Sequence, residues 1–291
     1  MRRVVFGLVL VTLAVLPAMA QDGLGKLDAS APTGKTPEQI VEEMGKHEST
    51  FAKARENYTF RQTVVMQTIN DDNGKPDGEY RQVTDVGFNR DGTRNETVVF
   101  APQNTLERVI IDQSDFEDLR LRIPLVLTSE DMPNYDVKYL GKQRVDELDT
   151  YVFQATPLHA DVKHRFFEGK VWVDQKDLEI VMINGKNTPD DLKGGHFSIP
   201  FTTYYEQIDT VNWFPTYTRA DGTVHFAASS RNGPASDIHM RNTVKYTDYR
   251  RFRSSSRIFY NGQEIPNDSA PGSTQPAPAT PSPAPATPPQ R

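Results

Sequence analysis

The sequence predicts a mainly β protein with a small α part: a highly curved antiparallel sheet of about ten strands, covered by an N-terminal helix and a short central helix and loop. Three observations predict it. Short runs alternating apolar and polar recur between turn signals from residue 58 to residue 253. One capped, amphipathic helix precedes them. Strands and helices do not alternate, so a parallel sheet with crossover helices is not expected.

The two ends are read as lying outside that fold. Residues 1–20 begin with Arg2 and Arg3, continue as an apolar run from Val4 to Leu16, and close on the small-residue site Ala18-Met19-Ala20. This is the layout of a secretory signal peptide, cleaved after Ala20. The run is shorter than the roughly 20 residues that a membrane-spanning helix needs. Residues 21–35 are expected to be a flexible lead-in, 36–266 the folded domain, and 267–291 a disordered Pro-rich tail. The tail holds Pro, Ala, Ser and Thr with no large apolar side chain, so it cannot bury enough surface to order itself.

The whole chain carries a net charge of −6, and loss of Arg2 and Arg3 with the signal peptide leaves −8. That balance argues against a general nucleic-acid or anionic-membrane binder. There is no cysteine. The exported protein must therefore be held by a hydrophobic core without disulfides, and it has neither a thiol nucleophile nor a thiolate metal site.

The first element is the helix TPEQIVEEMGKHESTFAKAREN. Thr36 is a natural N-cap, Pro37 suits the first helical position, and Gln39 completes a capping box. Ile40, Met44, His47 and Phe51 recur at helical spacing, so one face seeks an apolar partner. A meander follows. YTFRQTVVMQTIN puts Phe60, Val64 and Met66 on one side, EYRQVTDVGFN does the same for Val86 and Phe88, and ETVVF is a third strand. Residues 106–134 break the rhythm. Ser114 or Asp115 can cap a short helix to about Arg122, which Pro124 ends, and PLVL, with Leu125 and Leu127, is either a buried connection or a lid. Strands resume at YDVKYLG and TYVFQATP.

Next comes the hairpin GKVWVDQKDLEIVMINGK. Val171 and Val173 share one face, and Trp172 lies on the other between Lys170 and Asp174. The return strand is apolar on both faces, with Leu178, Ile180 and Met182 on one side and Val181 and Ile183 on the other. A strand apolar on both faces must be covered on both. HFSIPFTTYYEQI, VNWFPTYTRA, TVHFA and RNTVKYTDYRRFR complete the set.

A search for chemistry is mostly negative. No nucleophile elbow, phosphate-cradling loop or dinucleotide fingerprint occurs. His159, Asp161 and His164 fall in one loop at a spacing that can supply metal ligands, yet a loop offers no fixed face. His196, His225 and His239 are isolated beside strands. Arg250, Arg251, Arg253 and Arg257 give the last strand a basic end, suited to solvent or to an anionic surface. No catalytic residue, metal or cofactor is assigned.

Tyr139 and Gly141, Val145, Tyr151, Phe153, Pro157 and then Gly169-Lys170-Val171-Trp172-Val173-Asp174 form a specific block. It resembles the pattern of the LolA/LolB-like superfamily of outer-membrane lipoprotein-sorting proteins, and WFPTYTRADG resembles a later strand of that group. The resemblance implies an incomplete barrel closed by helices around an apolar cavity. In the carriers of the group that cavity shelters lipoprotein acyl chains; in the related RseB/MucB-type sensors the fold regulates an envelope-stress anti-sigma factor. The early strands match least, so the carriers' functional basic residue is not transferred, although Arg61 and Arg81 lie in its region.

Two readings follow. One is a periplasmic carrier of lipid or lipoprotein acyl chains, with a cavity lined by Ile40, Met44, Phe51, Val64, Met66, Leu125, Leu127, Tyr151, Phe153, Val171 and Val173. The other is an envelope protein-interaction or sensor module with a filled core. A metal-dependent hydrolase using the His159–His164 loop is a third and weaker alternative. The Val171/Val173 face is expected to look into the concave core, and Trp172 onto the convex face.

Overall fold

The structure is a computed structural model and describes residues 23–89, 91–111, 127–159, 165–190, 199–226, 235–252, 258–260 and 263–265. The signal peptide, the Pro-rich tail, the central helix near residues 115–122, Leu125, His164 and His196 lie outside the described residues. The chain divides into two units, Met1–Phe252 and Arg253–Arg291. The second contains a small hairpin, β11 (Ile258–Tyr260) paired with β12 (Gln263–Ile265).

Among the described residues the larger unit is one α-helix on one sheet. Helix α1 (Pro37–Ala54) starts on the expected capping box: Thr36 Oγ1 accepts from the Gln39 backbone N–H, and Gln39 Oε1 accepts from the Thr36 N–H. A short 3-10 turn, Arg55–Asn57, leads into the strands. These are β1 (Tyr58–Ile69), β2 (Pro76–Phe88), β3 (Arg94–Phe100), β4 (Tyr135–Val145), β5 (Leu148–Pro157), β6 (Phe166–Asp174), β7 (Ile180–Thr188), β8 (Phe201–Gln207), β9 (Trp213–Phe226) and β10 (Ser236–Arg251). They form one antiparallel sheet in the order β3-β2-β1-β10-β9-β8-β7-β6-β5-β4, which does not close. VNWFPTYTRA and TVHFA, read as two strands, are the single strand β9. The Asp221-Gly222 pair between them stays in register opposite Arg241 and Met240, with the Asp221 carboxylate bound by His239 and Arg241 of β10.

Register shifts punctuate the sheet at Thr59/Arg61, Thr68/Ile69, Val83/Thr84, Tyr139/Gly141, Trp172/Val173 and Tyr204/Tyr205. Each extra residue bends its strand and strengthens the local twist. The shift in the β6–β7 hairpin corrects the expected facing of the return strand. Val173 pairs with Ile180 and Trp172 with Met182, so Val181 is the extra residue. Ile180 and Ile183 therefore pack on the helix side, and Val181 and Met182 both pack beside Trp172 on the opposite side. Leu178 sits in the turn, at φ 55°, with its side chain in the helix-side core.

The topology separates β3 and β4, neighbours in sequence, to opposite edges. The connection between them spans residues 101–134. Its described ends lie on the face that carries α1: Val109 packs with Val224, Ile238 and Met240, and Leu127 packs with Ile40 and Met44. This inner face holds the main core, in which α1 meets Phe153, Val171, Val173, Ile180 and Ile183. The outer face has a smaller core of Val145, Val152, Trp172, Val181 and Met182, and the Trp172 Nε1–H donates to Gln143 Oε1 at 2.8 Å.

The lead-in is not free. The Gly25 N–H donates to the Arg144 carbonyl, Asp28 and Lys142 exchange backbone hydrogen bonds along the β4 edge, Gln143 Nε2 donates to the Gly25 carbonyl, and the Tyr139 hydroxyl donates to the Ser30 carbonyl. At Gly141, with φ 147°, a Cβ would come within 2.3 Å of the Asp28 carbonyl oxygen. The Tyr-x-Gly element of the specific block thus seats the lead-in on the sheet edge.

Candidate functional site

The inner face is divided in character. On strands β4 to β8 it is apolar and lies under α1. Seven of the residues read as cavity-lining meet there: Ile40, Met44, Leu127, Tyr151, Phe153, Val171 and Val173 are all buried in one cluster. Phe51 belongs to a neighbouring cluster with Tyr58 and Phe214, stacked edge-on against Phe214 at 4.9 Å. Val64 and Met66 lie farther along, with Val244 and Tyr246. These residues pack on one another. At the rim of the main cluster a groove of about 680 Å³ runs between the first turns of α1, residues Ser129 and Met132, and strand β4. Val41, Met132, Val137 and Tyr139 supply its apolar wall, and Glu38, Glu42 and Lys138 its polar mouth. The same four apolar side chains pack against the main core, so they stand between the groove and that core.

On the β1, β2, β3 and β10 half the inner face mixes buried polar side chains with the Val64, Met66 and Val244 cluster. Gln62 is directly opposed to Thr84 on one side and Tyr246 on the other. Arg94 donates to Gln62 Oε1 at 3.0 Å and pairs with Glu96. The Arg94 guanidinium also lies over the Phe60 ring, and that of Arg55 over the Phe88 ring, at 5.7 and 5.9 Å. Tyr205, Tyr246 and Tyr249 face the same region, and burial raises the pKa of all three hydroxyls.

Beneath the last turns of α1 two carboxyls are buried together. Glu48 is 4% exposed, and burial, then the charge of Glu179, raises its pKa to about 8. Burial, then Asp177, raises Glu179 to about 7. His47 Nδ1 lies 3.2 Å from Glu179 Oε1. Burial, then the neighbouring Arg94 charge, lowers the pKa of Arg55.

Arg61 and Arg81, the basic residues picked by region, are on the outer face and are paired with Asp85 and Glu79. Among the described residues, Arg55 and Arg94 are basic side chains that reach the inner face. Sequence reasoning missed both: Arg94 falls in the stretch RDGTRN, which reads as a turn, and Arg55 follows the helix stripe. His225 and His239 bind Asp237 and Asp221, as isolated strand histidines do. Among the described residues no His, Asp and Glu group gathers as a metal site, and no helix is long and apolar enough to cross a membrane. The His159–His164 loop lies mostly outside the described residues.

No protein-family model matches the chain, and no curated protein sequence does. Among solved structures it is similar to an outer membrane lipoprotein-sorting protein domain from Vibrio parahaemolyticus, at 12% identity over 72% of this chain and 92% of that one, with a TM-score of 0.32. It is also similar to MucB, at 13% identity over 70% and 92% with a TM-score of 0.24, and to MucB in complex with MucA(peri), at 12% identity over 72% and 93% with a TM-score of 0.22. These are the two groups that the block from Tyr139 to Asp174 resembles.

Proposed function

We propose that the chain is an exported, non-enzymatic carrier that shelters an apolar chain, the acyl group of a lipid or lipoprotein, against the inner face of its sheet. The observation that carries the reading is the groove beside α1. Its volume falls in the roughly 300–1,000 Å³ range of small-molecule sites, and its apolar wall backs onto the main core. Among the described residues α1 is the helix that covers the sheet there, and a modest shift of it would open the groove toward Ile40, Met44 and Phe153. The signal-peptide layout of residues 1–20 supplies the export.

The test is native mass spectrometry of the chain purified gently from a bacterial periplasm, followed by titration with a fluorescent fatty-acyl probe. A co-purifying lipid mass, lost on denaturation, is the expected result, and Val41→Trp, which fills the groove, should abolish probe binding. An apo mass with no probe uptake would sink the reading.

A second reading, an envelope protein-interaction module, is favoured by the β3 edge. Val98, Val99 and Phe100 are 54, 50 and 52% exposed on a strand paired only with β2 among the described residues. An edge of this kind can accept a partner's strand. Envelope proteins captured by the wild type and lost on Val98→Lys, with no lipid bound, would favour it over the carrier.

A further inference from the structure

We infer that the groove beside α1 selects its lipid by the head it carries, taking an amine-headed lipid in preference to an anionic one, and that Glu38 makes the choice. The inference rests on the carrier reading and names the class of ligand within it.

The groove offers an anion little. One wall is the start of α1. A helix N-terminus ordinarily attracts an oxyanion through backbone N–H groups that have no partner inside the helix. Here those groups are taken. Pro37 has no N–H, the Gln39 N–H donates to Thr36 Oγ1, and the Ile40 N–H donates to the Thr36 carbonyl. The Thr36 N–H goes to Gln39 Oε1, and the Glu38 N–H to its own carboxylate. The side chains are engaged as well. The Tyr139 hydroxyl donates to the Ser30 carbonyl. Lys138, the basic residue at the mouth, is held by Asp136 at 2.8 Å. The Ser129 hydroxyl can serve a head of either sign.

A cation finds the opposite. Two carboxylates line the mouth, Glu38 and Glu42. Lys46 pairs with Glu42 at 2.6 Å, and the nearby Lys35 pairs with Glu43. Among the described residues no basic side chain pairs with Glu38, whose carboxylate is bonded by its own N–H and by the Thr36 hydroxyl. These bonds hold its carboxyl below the usual carboxylate range, so it is charged at neutral pH. With Glu42 and Lys138 each balanced, Glu38 leaves the mouth one negative charge in excess. Glu38 precedes Val41 and Glu42 by three and four residues, so all three share one face of α1. The head of a chain lying on Val41, Met132 and Val137 therefore comes to rest beside the Glu38 carboxylate.

An exposed charge pair is worth up to about fivefold in affinity, and like charges cost about as much. Calorimetric titration of the purified chain at neutral pH and low ionic strength, with dodecylamine, neutral monolaurin and laurate, tests the inference. Dodecylamine should bind about tenfold tighter than laurate, with monolaurin between them. Glu38→Gln should bring the three within about threefold of one another and leave monolaurin unmoved. Glu147→Gln removes the same charge from the exposed turn between β4 and β5, away from the groove, and should keep the order. Laurate binding as tightly as dodecylamine, or an unchanged order in the Glu38→Gln protein, would overturn the inference, while monolaurin binding still upheld the carrier. Dodecylamine binding that survives Val41→Trp would overturn it too, since the amine would then be held elsewhere on an acidic surface. If none of the three binds, the carrier reading falls and the inference with it.

Discussion

Glu48 makes the stability of this protein depend on pH in a direction opposite to that of most carboxylates. Its pKa rises from 4.5 to about 8 on folding, because burial under α1 disfavours the charged form and Glu179 adds repulsion. Between those values the folded state holds a proton that the unfolded chain has released. Stability is therefore full below about pH 4.5, falls as pH rises, and levels off above about pH 8. Each pH unit in that window is worth about 1.4 kcal/mol, so the loss is about 3 kcal/mol by pH 7 and at most about 5 kcal/mol beyond pH 8. Local relaxation and water entry reduce it, and Glu179 shifts in the same direction. Glu48→Gln is nearly isosteric with the protonated acid. Urea unfolding at about pH 5, 7 and 9 should show the wild type losing on the order of 3–4 kcal/mol while the Gln variant keeps most of its stability. Equal stability of the two near pH 5 is part of the expectation. Parallel pH profiles for the two proteins would refute the reasoning, because Glu48 would then ionise without cost.

Two further perturbations follow from the packing. Trp172→Ala should cost about 3 kcal/mol or more in urea unfolding, since the ring is 4% exposed among Val145, Val152, Val181 and Met182 and its N–H is bonded. A change within about 0.5 kcal/mol would mean that the outer-face cluster is open to solvent. Gly141→Val should push the Asp28 carbonyl off the β4 edge and raise hydrogen exchange of the Gly25 and Asp28 amides, leaving the amides of β6 and β7 protected. Unchanged exchange at residues 25 and 28 would show that the lead-in does not depend on the glycine.

What the sequence by itself determined is the local and periodic part. The capping box at Thr36 and Gln39, the helix stripe through Ile40, Met44 and Phe51, and the antiparallel meander are all written in neighbouring residues. Alternation likewise put Val171 and Val173 on one face and Trp172 on the other, because side-chain facing in a strand follows from a period of two, while the choice of face came from the resemblance. That rule also explains the failure one strand later. The bulge at Val181 inserts a residue, and from there the period no longer reports the face. Its cause lies in the register with β6, which no local signal records. Tertiary structure alone decided that β3 and β4 stand at opposite edges, that the lead-in pairs with β4, and that β9 runs unbroken through Asp221-Gly222. The candidate site belongs to the same class. Arg55, Gln62, Arg94 and Tyr246 come from a helix end and three strands, and each reads as an ordinary polar residue in its own segment. Only the pairing of β1 with β2 and β10 sets Gln62 between Thr84 and Tyr246 on the inner face, within reach of Arg94.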